Sequence, residues 1–236
     1  GRMIFYTSKN ARFVNHDSLQ NNQTMWLECN GFVLDTANMK PLVIPPLSFK
    51  SNVSPSTLDT YLNKDIYDIY QIEDGTIVSL YYWEPLERWC ISTTRGYDVT
   101  NIKWGNQTYA EILSDILKLY NTTDQVFYDS LNKNLCYTFG FKHESMHPFQ
   151  EDDQPINKMW FVQSVDVSSI ANTVATDFRG LFGIPNQTQF KSNQNQLMNT
   201  KYLFKLLHNS LHDFMTNKKV NYGFILKSKN PEHTGS

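Results

Sequence analysis

Histidine and carboxylate side chains that lie close together in a sequence are the first candidates for metal chemistry. This chain has one tight group of that kind, formed by His143, Glu144 and His147. A catalytic zinc ion needs a third protein ligand in addition to a pair of histidines. No residue stands out as that third ligand. We therefore predict no metal site and no cofactor.

The cysteines and the overall charge exclude several other functions. Cys29, Cys90 and Cys136 are odd in number and widely spaced, which predicts buried thiols in a reducing compartment such as the cytoplasm. The formal net charge is −2, whereas strong non-specific binding of nucleic acid needs many lysines and arginines. No apolar stretch approaches the roughly 20 residues that span a bilayer. Any contact with RNA must therefore be local, and we expect neither DNA wrapping nor a membrane partner.

The elements that would position functional residues follow from hydrophobic patterning. Residues 25–34, 76–83 and 88–94 are rich in β-branched and aromatic side chains, which predicts strands, and the last two should form an antiparallel hairpin. Residues 108–120 and 197–215 have apolar side chains at helical spacing, which predicts amphipathic helices packed on sheets. A content of 40% hydrophobic and 19% charged residues is that of a folded protein, and we expect one principal domain.

Four segments are informative through their order along the chain. They are residues 28–35 with 40–50, residues 72–76 with 89–96, residues 137–142 with 147–148, and residues 222–226. This succession resembles the adenylation domain of phage-type RNA ligases, which belong to the nucleotidyltransferase superfamily. The second segment resembles their Lys-x-Asp-Gly-Ser motif, the third their Thr-Phe-x-Phe-Glu motif, and the fourth their Glu-Gly-Phe-Val-Val strand.

The resemblance implies a fold and a domain organisation. The fold would be α+β, a nucleotidyltransferase-like domain with antiparallel sheets flanking a nucleotide cleft and packed helices. This RNA ligase-like domain would cover residues 25–229, between an N-terminal extension at residues 1–24 and a tail at residues 230–236.

Three positions depart from the chemistry of the family, in which a lysine attacks the α-phosphate of a nucleotide beside a metal ion held by carboxylates. Ile72 stands at the position of the lysine, while Lys142 and Tyr222 stand at the positions of two carboxylates. An alkyl side chain has no nucleophile, and neither of the other two residues supplies a carboxylate. The comparison of motifs therefore implies a pseudoenzyme, in which the Lys142 ammonium could contact a phosphate directly.

A cleft of this kind would still bind a nucleotide through aromatic and charged side chains. The nucleotide-binding residues that the resemblance implies are Glu73, Asp74, Arg95, Phe139, Phe141, Lys142, Tyr222, Lys227 and Lys229. The two phenylalanines would stack on the base, the acidic residues would pair with its edge, and the arginine and lysines would contact phosphates. Further aromatic candidates for stacking are Trp83, Trp89, Trp104 and Trp160. A methylated guanine of an mRNA cap would gain from cation–π stacking between such rings.

Three functions remain open at this point. The first is a non-catalytic domain that binds a nucleotide or an RNA 5′ end, with the mRNA cap as its most specific form and a protein partner in an RNA-processing or translation complex. The second is an active RNA ligase or capping-type nucleotidyltransferase that uses a displaced lysine, for instance Lys50 or Lys64. The third is a structural scaffold for protein interaction. The abundance of Asn, Lys, Ile and Tyr suggests the AT-rich genome of a large DNA virus, which would place the protein in the host cytoplasm.

Overall fold

The computed structural model describes residues 1–5, 29–46, 67–146, 157–169, 176–187, 189–190 and 224–228, together with residues 205 and 209. The strands, in chain order, are β1 (Arg2–Ile4), β2 (Val33–Asp35), β3 (Lys40–Val43), β4 (Tyr67–Gln71), β5 (Thr76–Trp83), β6 (Arg88–Ser92), β7 (Lys103–Trp104), β8 (Gln107–Thr108), β9 (Leu135–Lys142), β10 (Lys158–Asp166), β11 (Gln189–Phe190) and β12 (Phe224–Ser228). The helices are α1 (Tyr109–Leu119), α2 (Asp124–Asp129) and α3 (Phe178–Phe182), and a 3-10 turn covers Glu84–Leu86.

The chain divides into two compact units, each built from two stretches of sequence. Unit 1 comprises Gly1–Pro46 and Gly75–Asn186, and unit 2 comprises Leu47–Asp74 and Gln187–Ser236. The named strands pair antiparallel in both units, which together with the helices confirms the predicted α+β class. The predicted domain limits at residues 24 and 229 lie outside the described residues. The predicted helix 197–215 also lies outside them, apart from Lys205 and Asn209, which are helical.

The central sheet of unit 1 has the strand order β10-β9-β5-β6. The predicted hairpin is confirmed, because β5 pairs with β6 from Ser79 opposite Ser92 to Trp83 opposite Arg88. The chain reverses through the 3-10 turn, where Glu87 has a left-handed backbone conformation with φ of 48°. On its other side, β5 pairs with β9.

The main hydrophobic core lies between one face of this sheet and the helices. Alternate residues of the sheet point into it, among them Val78 and Leu80 from β5 and Tyr137, Phe139 and Phe141 from β9. Helix α1 begins with a capping box in which the Thr108 hydroxyl accepts a hydrogen bond from the Glu111 backbone amide, and Glu111 accepts one in return. Its buried face consists of Tyr109, Ile112, Leu113, Ile116 and Leu117. This helix therefore confirms the prediction for residues 108–120.

The opposite face of the central sheet forms a second, smaller core with the sheet β1-β2-β3. Val33 and Val43 from the small sheet cluster with Tyr81, Trp83 and Cys136 of the central sheet. Arg2–Ile4 lies within the predicted N-terminal extension of residues 1–24 and forms the edge strand of the small sheet, paired with β2. The predicted strand 25–34 is observed only as Val33–Asp35 within the described residues.

Unit 2 has a sheet of its own with the order β11-β4-β12. Ile69 of β4 is completely buried, and β12 pairs with β4 from Phe224 opposite Gln71 to Ser228 opposite Tyr67. Among the described residues of both units, no helix is long and apolar enough to cross a membrane.

Candidate functional site

The second and third motif segments meet at one end of the central sheet. Thr76 of β5 lies opposite Phe141 of β9, and Ile77 lies opposite Gly140. The neighbouring Gly75 has φ of 158°, and a Cβ atom there would clash with the Phe141 carbonyl oxygen and the Trp160 indole. Two segments that are more than sixty positions apart in sequence thus form one tightly packed corner.

Trp160 of β10 covers this corner. It lies opposite Gly140 in the register of β9 and β10, and a Cβ atom at Gly140 would overlap its indole ring. The ring therefore lies directly on the glycine backbone, and only 4% of the Trp160 surface is exposed. The Lys158 ammonium lies 5.4 Å from the centre of the indole, a distance at which the cation is attracted to the ring.

Two lysines lie side by side at the same edge of the sheet. Lys142, the last residue of β9, is directly opposite Lys158, the first residue of β10. Residues directly opposite each other in an antiparallel pair point to the same face with their Cβ atoms about 5 Å apart, and like charges in such a pair repel. Both side chains are half-buried, and both already interact with neighbouring groups. We call Gly75, Gly140, Lys142, Lys158 and Trp160 the lysine corner.

Phe139 and Phe141 do not form the stacking surface that the sequence analysis assigns to them. Both are completely buried and point into the main core, where Phe139 packs against Phe178 with ring centres 5.1 Å apart. Their ring faces are covered by protein, so a base cannot stack on them in this conformation. The side chains of the same strand that point the other way are Cys136, Thr138, Gly140 and Lys142.

The other residues predicted to bind nucleotide are distributed over both units. In unit 1, Arg95 is exposed in the turn between Thr93 and Gly96. In unit 2, Glu73 and Asp74 are half-buried in the segment after β4, and Lys227 of β12 lies opposite Asp68 of β4. Tyr222 and Lys229 lie outside the described residues, as does the side chain of Lys227.

The first motif segment and the turn that contains Arg95 are also neighbours. Gly31 has φ of 94°, and a Cβ atom there would lie 3.1 Å from the Thr94 Cα atom. The left-handed backbone and this close approach together explain why a glycine occupies the position. The structure thus brings the first motif next to the Thr-Arg-Gly turn.

The tryptophans other than Trp160 have different surroundings. Trp83 is buried in the second core, and Trp89 is stacked on Tyr128 with an angle of 9° between the ring planes. Trp104 is 43% exposed on the β7–β8 hairpin. Of these candidates for stacking, Trp104 is therefore the one with substantial exposed surface.

The His143 group lacks the backbone geometry of a zinc motif. Residues 143–147 read His-Glu-Ser-Met-His, which is the spacing of the helical zinc motif, but residues 143–146 form a turn after β9. His143 is buried, with Nδ1 2.7 Å from the Ser145 hydroxyl, whereas Glu144 is exposed. His147 lies outside the described residues. Within the described residues, no group of three or more His, Cys, Asp or Glu side chains could hold a metal ion.

A charged cluster that the sequence did not indicate joins the small sheet β1-β2-β3 to the central sheet of unit 1. The Arg2 guanidinium donates a hydrogen bond of 2.7 Å to the Tyr81 hydroxyl and lies 3.1 Å from the Asp98 carboxylate. Arg88 approaches the same carboxylate at 2.7 Å, and the Thr100 hydroxyl donates to it at 2.7 Å. Burial alone would raise the pKa of Asp98, but the hydrogen bonds from Thr100 and the two arginine charges bring that pKa below its ordinary value.

The chain is homologous to proteins of African swine fever virus that bear the name "Putative RNA-ligase". The protein of the Malawi tick isolate is 31% identical over 229 residues, and that of the Kenyan pig isolate is 32% identical over 229 residues. Each alignment covers 88% of this chain and 50% of the relative, so the chain spans about half the length of the viral proteins it matches. These relatives agree with the viral source that the composition suggests. No protein-family model matches the chain.

The fold is similar to that of ATP-dependent ligases. An archaeal ATP-dependent RNA ligase matches with a TM-score of 0.53 at 11% identity, over 86% of this chain and 50% of that protein. The protein named "Putative ATP-dependent DNA ligase" from Aquifex aeolicus matches with a TM-score of 0.51 at 12% identity, again over 86% and 50%. At such low identity the likeness shows the fold alone, and it confirms the predicted nucleotidyltransferase-like architecture.

Proposed function

We propose that this chain is a ligase-like domain that binds a nucleotide or an RNA 5′ end without forming a covalent nucleotide intermediate. The observation that carries the proposal is the lysine corner. The position of a family carboxylate is occupied by Lys142, and its cross-strand neighbour is a second lysine, Lys158. A pair of cations at this edge favours phosphate oxygens and disfavours a divalent metal ion.

The chemistry of the second motif supports the absence of catalysis. Ile72 is half-buried in the segment between β4 and β5, where the ligase motif has its lysine nucleophile. A saturated alkyl side chain cannot attack a phosphate, and the residues matched to the metal-binding carboxylates are Lys142 and Tyr222. Nucleophile and metal ligands are therefore both replaced.

The binding mechanism that follows is electrostatic. The ammonium groups of Lys142 and Lys158 would hold a terminal phosphate through charge-assisted hydrogen bonds, while Trp160 holds Lys158 by its cation–π contact. Arg95, Lys227 and Lys229 remain proposed as further phosphate contacts, and Glu73, Asp74 and Tyr222 as contacts to the base or sugar. The finer form of the proposal is recognition of an mRNA cap, in which a carboxylate pairs with the edge of the methylated guanine.

The absence of a covalent intermediate is tested with radiolabelled ATP and GTP. After incubation with Mg²⁺ or Mn²⁺, denaturing electrophoresis should show no labelled protein band, either for the wild type or for Ile72→Lys. The variant should stay inactive because Lys142 and Tyr222 still leave the metal without its carboxylates. A labelled band from the wild type would refute the proposal in favour of an active enzyme with a displaced lysine such as Lys50 or Lys64.

Phosphate binding is tested by titrating 5′-triphosphate, 5′-hydroxyl and capped oligonucleotides, each with and without a chelator. We expect Lys142→Glu to weaken phosphate-dependent binding by roughly 1–3 kcal/mol, because it removes a charge-assisted contact and adds repulsion. Lys133→Glu, at an exposed lysine before β9, is the matched control. Binding should persist in chelator. If no oligonucleotide binds, the remaining interpretation is a protein-interaction scaffold.

A further inference from the structure

Residues 93–108 of unit 1, which we call the 93–108 segment, carry both exposed aromatic rings and exposed cations. Tyr97 is 41% exposed and Trp104 is 43% exposed. Arg95 and Lys103, which are interleaved with them in sequence, are also exposed. Large aromatic side chains are usually covered in a folded domain, so two of them at this level of exposure within eight positions require an explanation.

The segment is anchored to the domain through its backbone. The amide of Val99 donates to the Ile91 carbonyl at 2.7 Å, and Ala110 donates to the Thr100 carbonyl at 3.0 Å. Val99 itself is buried in the main core. Backbone and apolar side chains of the segment thus fix its path and leave the aromatic and cationic side chains outside.

Each exposed ring is held by a single described contact to another ring or a cation. Tyr97 has the Arg2 guanidinium 4.8 Å from its ring centre, and Trp104 meets Tyr109 in a T-shaped contact with centres 6.2 Å apart. Trp104 is presented by the β7–β8 hairpin, whose tip is Gly105 with φ of 64°. Such rings are oriented by the protein and still offer surface on which a flat ligand can stack.

The formal charge of the 93–108 segment itself is positive, even though the chain as a whole carries −2. Asp98 is the one acidic residue in the 93–108 segment, and its carboxylate is already neutralised by Arg2 at 3.1 Å and Arg88 at 2.7 Å. The charges of Arg95 and Lys103 are therefore not offset within the segment. Aromatic rings for bases together with cations for phosphates are the features of surfaces that bind single-stranded nucleic acid.

We propose that the 93–108 segment binds single-stranded RNA, with bases stacking on Tyr97 and Trp104 and phosphates contacting Arg95 and Lys103. This inference extends the proposed function from the RNA 5′ end to the strand that follows it. It does not depend on the lysine corner, because a strand without a 5′ phosphate presents the same bases and internal phosphates.

The test uses a labelled oligouridine of about twelve nucleotides with a 5′-hydroxyl end, a length within the range that such surfaces cover. Fluorescence anisotropy gives its affinity for the intact chain. We expect Trp104→Ala and Tyr97→Ala each to weaken binding about fivefold or more, and Trp104→Phe to retain most of it, since stacking needs only an aromatic face. The exposed Leu181 of α3 supplies the control, because Leu181→Ala should leave the affinity unchanged.

The salt dependence of binding tests the cationic contacts. Lys103→Gln should reduce the slope of log affinity against log salt by about 0.7, the value for one lost phosphate contact on a single strand. A duplex of the same length should bind several-fold more weakly, because its bases are already stacked. The inference is overturned if both alanine variants bind like the wild type with unchanged unfolding midpoints, if Leu181→Ala loses as much affinity, or if duplex and single strand bind equally. If oligouridine binding responds as expected but nucleotides and 5′-phosphate ends do not bind, the proposed role of the lysine corner is rejected and that of the 93–108 segment is not.

Discussion

Asp98 shows at the residue scale how a partly buried carboxylate can remain charged. Its oxygen atoms accept from the Thr100 hydroxyl and amide and face two arginines. The pKa of Asp98 is lowered in the folded protein relative to the unfolded chain, where it is about 3.9. A lowered folded pKa gives stability that is present above the unfolded value and is lost as the pH falls through the folded value.

We therefore expect the wild type to lose free energy of unfolding as the pH falls below about 4, partly because Asp98 becomes protonated. Asp98→Asn should have a lower free energy of unfolding than the wild type near neutral pH, and that free energy should fall less on acidification. Urea unfolding at a series of pH values measures both effects, and Asp129→Asn at an exposed carboxylate of α2 is the control. Parallel stability curves for the wild type and Asp98→Asn would contradict this account.

Gly140 is the second residue whose surroundings dictate its identity. Because the Trp160 indole lies on its backbone, we expect Gly140→Ala to reduce the free energy of unfolding by about 1–3 kcal/mol through overpacking. In the Trp160→Leu background the same substitution should cost less, since the ring that the methyl group would strike is gone. Chemical denaturation of the wild type, the two single variants and the double variant gives the coupling free energy between the two positions. Additive losses of the free energy of unfolding would show that the two residues act separately.

At the scale of elements, the helices depend on a few polar contacts at their ends. Thr108 caps α1 by accepting a hydrogen bond from the Glu111 amide at 3.2 Å. We expect Thr108→Ala to lower the free energy of unfolding by about 0.5–2 kcal/mol and Thr108→Ser to lower it much less, because serine retains the accepting oxygen. Urea denaturation measures both. Equal losses for alanine and serine would mean that the methyl group of Thr108, rather than its hydroxyl, is important.

Elements with one buried face were predictable from the sequence, whereas β9 was not. In α1 the apolar residues repeat at helical spacing, so both the type of element and its buried face follow. In β9 every residue from Leu135 to Phe141 is buried, and the two faces contribute to two different cores. Periodicity cannot distinguish the faces of such a strand. Phe139 and Phe141, which the resemblance implied as stacking residues, lie on the face that packs into the main core.

Contacts between residues far apart in sequence account for the rest of what the sequence did not reveal. The pairing of Lys142 with Lys158 depends on the register of two strands, and that register includes an irregularity between Phe161 and Gln163. The cluster of Arg2 with Asp98 joins a residue of β1 to a residue of the loop between β6 and β7. The motifs drew attention to Lys142, but only the strand register shows that Lys158 lies opposite it.

At the scale of the whole molecule, thiol reactivity reports on the integrity of the second core of unit 1, which contains Cys90 and Cys136. Burial raises the pKa of Cys136 to about 12 and also raises that of Cys90. Since the thiolate is the reactive form, we expect a thiol reagent at about pH 8 to modify half-buried Cys29 first. Cys90 and Cys136 should react only as the protein opens, with rates that rise with urea. Rapid modification of all three in native buffer, followed by mass spectrometry, would contradict the structure.

The interleaving of the two units has a consequence for synthesis on the ribosome. Strand β4 emerges early, but its neighbours β11 and β12 both follow residue 186, after all of unit 1. At a synthesis rate of about 5–20 residues per second, β12 is made roughly ten to thirty seconds after β4. During that time the edges of β4 are open to nascent-chain chaperones or to other copies of itself. We expect chains stalled where unit 1 has left the ribosome and β12 has not to be protected from protease in unit 1 and cleaved around β4. Equal protection of both would show that β4 pairs with another segment sooner.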